Sequence, residues 1–158
     1  QLDYLTSYYV MIKPDSWGKI RSLKFLRDPL VTYTLEKSDI RKIVSGVINL
    51  SKALFDLGAI KIHPSIKKNK GWNCIESVKA DLSDKNLKTN LNLISIHLFG
   101  SCSILNNPSY FIGGGRIKDI KNLILADGSC LPSAPGVNPQ ASIMAIAKYN
   151  ALKYCEKI

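Results

Sequence analysis

Across residues 38–57, apolar side chains recur at spacings of three and four: Ile40, Ile43, Val44, Val47, Ile48, Leu50, Leu54 and Leu57. That period matches the 3.6-residue turn of an α-helix rather than the two-residue alternation of a strand. The stretch therefore predicts a long amphipathic helix with one face committed to a core. Ser38 is suited to cap its start, Asp39 is favourable in the first turn, and Gly58 stands where a left-handed residue closes a helix. Such a helix needs partners, and 158 residues are enough to supply them within one ordinary domain.

The partners read mostly as strands. Residues 8–12 (YYVMI) are aromatic and β-branched and stop at Pro14. Residues 17–25 alternate imperfectly, and Asp15-Ser16 before them is turn material, so the two stretches predict a hairpin. Residues 30–35 (LVTYTL), 59–63 and 93–98 (LISIHL) predict further strands, and residues 123–126 (LILA) a short buried one. Residues 65–90 are rich in Lys, Asn and Asp and read as a long surface excursion, with a short helix around residues 81–87. Asn138-Pro139 opens a final helix, with Asn as N-cap and Pro in the first turn. The class predicted is α+β with a largely antiparallel sheet. Trp17 and Trp72 are read as packing residues, with a substrate entrance as an alternative place for Trp72.

Composition excludes several functions. At 46% hydrophobic residues the chain is not disordered, and its most apolar stretch, residues 46–60, is interrupted by Lys52 and Asp56. The net charge of +10 comes mainly from scattered lysines, with Arg only at positions 21, 27, 41 and 116. Nucleic-acid binding needs a concentrated basic face with aromatics, so a solvated surface is the reading and no nucleic-acid partner is expected. Two histidines and four cysteines without a C-x-x-C are poor material for a metal site. Free thiols are expected, which points to a reducing, cytoplasmic setting.

Two places carry chemistry. One is His97-Leu98-Phe99-Gly100-Ser101-Cys102, a histidine at a strand end followed by a glycine turn. The other runs from Asn122 to Ala147, where an apolar strand leads to Asp127-Gly128, a Pro- and Ser-rich bend, and a helix start at Asn138. Gly136 permits a sharp approach there, and the helix N-terminus offers unpaired N–H groups with partial positive charge. An ordinary loop before a capped helix explains the same residues without any ligand.

The second place settles the choice. His97 to Cys102, Asn122-Leu123, Ala126-Asp127-Gly128-Ser129, Leu131-Pro132, Pro135 to Ala141 and Ile143 to Ala147 together resemble the C-terminal part of the glucose–methanol–choline oxidoreductases. Asp28-Pro29, the helix of residues 38–57 and Leu57-Gly58-Ala59 fit the same family more loosely, so the resemblance covers nearly the whole chain. The chain departs from the family at Ser103-Ile104-Leu105 and at Gly113 to Arg116, so the flavin-edge contacts that the resemblance implies do not carry over there.

The resemblance implies an FAD-dependent enzyme that oxidises the CH–OH group of a small-molecule alcohol. Residues 1–92 would be substrate-binding, and residues 93–158 would carry the catalytic strand, the flavin-contacting loop and the last helix. His97 and Asn138 would face the reacting carbon, while Asp127, Gly128, Pro139, Gln140 and Ala141 would contact the cofactor. His63 has no such support and is read as structural. The family's flavin domain bears a G-x-G-x-x-G motif that does not occur in this sequence, where Gly113 to Gly115 reads as a turn. Together with the start at Gln1, this gives the expectation of a fragment lacking the N-terminal FAD-binding segment. A non-catalytic basic α+β binding module and an inactive truncated paralogue are the alternatives; both leave residues 122–147 unexplained.

Overall fold

The computed structural model describes residues 4–83 and 87–156. The chain forms two compact units, Gln1–Ile94 and Ser95–Ile158. Among the described residues, four α-helices and a small antiparallel sheet make the fold α+β, as the sequence predicts.

In the first unit, the apolar stripe forms α1 (Lys37–Asp56). It ends as expected: Gly58 takes φ +95°, and its N–H donates to the Phe55 carbonyl at 2.9 Å. Its start differs. The cap position is Glu36 rather than Ser38, and no side chain caps it. Asp39, expected only to favour the first turn, is fully buried. Its carboxylate accepts the N–H groups of Asp15 (2.8 Å) and Ser16 (3.0 Å) and the Ser16 hydroxyl. The Ser16 oxygen in turn accepts the Glu36 N–H at 2.8 Å. One carboxylate thus ties the segment after Pro14 to the helix start.

The sheet is smaller than the sequence suggests. β1 (Lys19–Arg21) pairs antiparallel with β2 (Leu30–Thr32), with Ile20 opposite Val31. Residues 8–12 are not a strand, so the hairpin joins the second and third predicted strands instead of the first and second. Val10 packs on α1 where Gly46 leaves room: a Cβ at Gly46 would fall 2.5 Å from its Cγ1. That contact with a helix replaces pairing with a neighbouring strand. Trp17 is 62% exposed and packs no core.

The largest correction concerns residues 65–90, which hold the core of this unit. Trp72, Val78, Leu82 and Leu87 are buried together, and Ile40, Val44, Val47, Ile48 and Phe55 of α1 pack on them. α2 (Ile75–Leu82) supplies Val78 and Leu82, and α3 (Leu87–Asn90) supplies Leu87. The helix expected around residues 81–87 is thus interrupted, and its positions 84–86 lie outside the described residues. Trp72 is 1% exposed and so lines no entrance; its indole N–H donates to Asp81 at 2.6 Å, and its backbone bridges to Ile62. That bridge is all that forms of the strand predicted over residues 59–63. Lysine-rich composition misleads here because four large apolar side chains, each worth roughly 1.5–3 kcal/mol when buried, outweigh a polar average.

In the second unit, residues 95–98 pair with no strand, and Ile96 and Leu98 are exposed. The predicted buried strand over residues 123–126 reduces to one bridge, Arg116 with Ile124, and Leu123 is exposed. Among the described residues, α4 (Gln140–Cys155) is the one helix of this unit longer than a single 3₁₀ turn. Among the described residues all four cysteines are free, as expected, and no helix is long and apolar enough to cross a membrane.

Candidate functional site

The two chemistry-bearing segments lie in the unit Ser95–Ile158, and they meet. After His97 the chain turns at Gly100, whose φ of +85° suits a residue without a Cβ. The Cys102 N–H then donates to the Ser129 carbonyl at 3.1 Å. On the facing segment Asp127 opens the 3₁₀ turn Gly128–Cys130, and its carboxylate accepts the Ser129 N–H at 2.7 Å. The Ser129 hydroxyl and that same N–H hold the Asp127 carboxyl below the usual carboxylate range, against a smaller upward push from burial.

Gly128 is the point of convergence. A Cβ placed on it would lie 3.4 Å from both the Leu98 carbonyl oxygen and Ile143 Cδ1, and 3.5 Å from the Phe99 ring. The backbone just after His97, the turn after Asp127 and the first turns of α4 are therefore in contact.

The helix start departs from expectation by one residue. Pro139, not Asn138, is the cap: it is buried, with φ −90° and ψ 1°, and its carbonyl accepts the first helical bond from Ile143 N–H at 2.9 Å. Pro139 is already turned into near-helical geometry, so Asn138 falls outside the helix. Its side chain is exposed and makes no hydrogen bond among the described residues. Gln140, Ala141 and Ser142 keep backbone N–H groups that the helix itself cannot satisfy. Gly136, at φ +85°, makes the sharp approach expected of it. His97 is half-buried and likewise makes no hydrogen bond among the described residues.

Cys130 is buried, and burial pushes its thiol up, against a smaller downward pull from its hydrogen bond with Asp127. It is a packing group rather than a nucleophile. No cluster of three or more His, Cys, Asp or Glu that could hold a metal occurs among the described residues. One polar residue escaped the sequence reading. Asn150, on α4, is 2% exposed, and its amide donates to the Leu125 carbonyl at 2.7 Å. The available signal was an asparagine, a mediocre helix former, in an otherwise uninterrupted helix.

The model of the GMC oxidoreductase family matches residues 14–147. The GMC-type oxidoreductase y4nJ of Sinorhizobium fredii is 37% identical over 147 residues, which is 89% of this chain and 28% of that protein. The long-chain-alcohol oxidase FAO3 of Arabidopsis thaliana is 28% identical over 74% of this chain and 18% of its own length. A cholesterol oxidase of Acinetobacter baumannii is 38% identical over 60 residues, 37% of this chain and 11% of its own. No solved structure matches. The chain belongs to the GMC oxidoreductases and corresponds to their C-terminal part. It spans little more than a quarter of the length of y4nJ, and less of the two oxidases.

Proposed function

We propose that this chain carries the proton-accepting and substrate-orienting side chains of an FAD-dependent oxidoreductase acting on the CH–OH group of an alcohol. The observation that carries the reading is the convergence at Gly128, where the histidine segment, the Asp127 turn and the start of α4 touch. Residues 95–158 serve the reaction and residues 4–94 the substrate, in keeping with the family to which the chain belongs.

The donor set fits the cofactor. A flavin ring presents carbonyl and nitrogen acceptors along its pyrimidine edge, and the unsatisfied N–H groups of Gln140 and Ala141 are donors with helix-terminal positive charge. Gly128 lets the histidine segment and α4 close onto the Asp127 turn, Asp127 fixes that turn through Ser129, and Pro139 anchors the helix start. When bound, the flavin supplies the two-electron, one-hydride acceptor for the alcohol carbon.

The chain's own residues do the rest. His97 takes the alcohol's hydroxyl proton on a ring nitrogen, and the O–H pair becomes the second bond of the product carbonyl. The imidazolium so formed stays beside the product oxygen and donates it a hydrogen bond. Asn138 cannot take a proton at this pH; its amide N–H donates to the substrate oxygen and holds the carbon in line. Because Asn138 does not cap α4, that amide is free of a structural bond. The substrate class is a small-molecule alcohol, and among the relatives named, the printed activities on a long-chain alcohol and on cholesterol favour an apolar one.

The test is His97→Ala in the full-length protein. FAD content should be unchanged, while bleaching of the flavin by alcohol in stopped flow slows by about 10²- to 10⁴-fold, the usual contribution of a positioned base. A variant within a few-fold of wild type would remove His97 from the reaction.

A further inference from the structure

The half of the candidate cofactor site contributed by the Asp127 turn is not covalently close to the half contributed by α4, so something must set their register. We propose that Asn150 does so: it is a positioning residue for the flavin site, and this assignment rests on the flavin reading given above. Its side chain is buried among backbone, and its amide donates to the Leu125 carbonyl at 2.7 Å. Leu125 also donates its N–H to the Gly115 carbonyl at 2.9 Å. Gly115 is obligatory at this junction. It has φ +73°, and a Cβ there would collide with both the Leu125 oxygen and the Asn150 amide nitrogen.

From that junction the two halves run side by side. Residues 125 to 128 are three positions apart, at most about 10 Å of chain, with a bend at Asp127. Along α4, residues 150 back to 143 are seven positions, also about 10 Å at 1.5 Å each. A second contact joins them there, with Gly128 against Ile143. One hydrogen bond at Asn150 therefore fixes how far Asp127 and Gly128 stand from the first turn of α4. The Cys102–Ser129 bond secures the far end of the same segment. An apolar residue at 150 would fill the space but leave the Leu125 carbonyl unpaired and the segment free to slide.

Asn150→Leu and Asn150→Asp in the full-length protein test this, with the FAD dissociation constant read by flavin fluorescence and the fold by far-UV dichroism. Leu should weaken FAD by about tenfold or more, the effect of losing one buried hydrogen bond. Asp is the sharper probe, because a buried carboxyl titrates above its ordinary range. Near pH 8 its carboxylate opposes the Leu125 carbonyl and FAD should bind weakly. Near pH 5 the protonated carboxyl is a donor again, and affinity should return toward wild type on the same sample, while wild type shows no such acid recovery. Should the Leu variant not fold, Asp refolded at pH 5 carries the test alone. Wild-type FAD affinity in the variants at both pH values overturns the role of Asn150 and leaves the flavin reading standing. Flavin loss that coincides with loss of dichroism also overturns it, because Asn150 then holds the fold and not the site. A wild-type protein that takes up no FAD overturns the flavin reading itself and this assignment with it.

Discussion

Asp39 makes the sharpest stability prediction. Its carboxylate is fully buried and accepts three donors: the Asp15 and Ser16 N–H groups and the Ser16 hydroxyl. Asp39→Asn keeps the volume and one acceptor oxygen, but turns an NH₂ toward a donor that then has no partner. Bonds to a charged acceptor contribute about 1.5–3 kcal/mol each, and an orphaned buried donor costs a similar amount. Lys42, 3.7 Å away and 41% exposed, adds little because solvent screens it. The expected loss is about 3 kcal/mol, or roughly 6–12 °C in melting temperature for a chain of this size. Burial alone would push the Asp39 carboxyl up, but the Ser16 hydroxyl, the two N–H groups and Lys42 together hold it below its ordinary value. A carboxyl depressed in the folded state contributes stability above its unfolded pKa, and loses it as pH falls through the folded one. The gap between wild type and variant should therefore be full at pH 7 and close as the pH drops below about 4. Thermal melts followed by circular dichroism across that range decide it. A variant that melts within about 2 °C of wild type at pH 7 would show that Asp39 does not anchor the segment after Pro14.

Two further outcomes follow from the same geometry. Because Pro139 rather than Asn138 caps α4, Asn138→Ser and Asn138→Ala should both melt with wild type, while both slow flavin reduction by alcohol in stopped flow; a lowered melting point in Ala alone would restore Asn138 as a cap. Trp72→Ala should destabilise by about 3–5 kcal/mol in urea titration, as expected for an emptied aromatic site at the centre of a core; a loss below about 1 kcal/mol would mean that residues 65–90 are the surface excursion their composition suggests.

The long helix, its glycine stop, the α+β class, the free cysteines and the family were legible in the sequence. Each depends on neighbours within a few positions, or on an ordered run of residue types such as Pro135 to Ala141. The periodicity of Ile40 to Leu57 needs no knowledge of what packs on it. The strands were read less well, since β-branched runs such as residues 8–12 and 93–98 become strands only where another edge comes alongside. In this structure Val10 met a helix instead, and residues 95–98 met no strand. Burial was the other blind spot. Trp72, Val78, Leu82 and Leu87 sit in a lysine-rich stretch, and only the docking of α2 and α3 on α1 selects them as core. The site divides the same way. The resemblance proposes roles for His97, Asp127, Gly128 and Asn138, because a resemblance needs only order along the chain. Tertiary structure alone moved the cap to Pro139, brought Leu98 against Gly128, and set the Asn150 amide on the Leu125 carbonyl across 25 residues. Contacts at that separation depend on the closure of the whole unit, which no local pattern encodes.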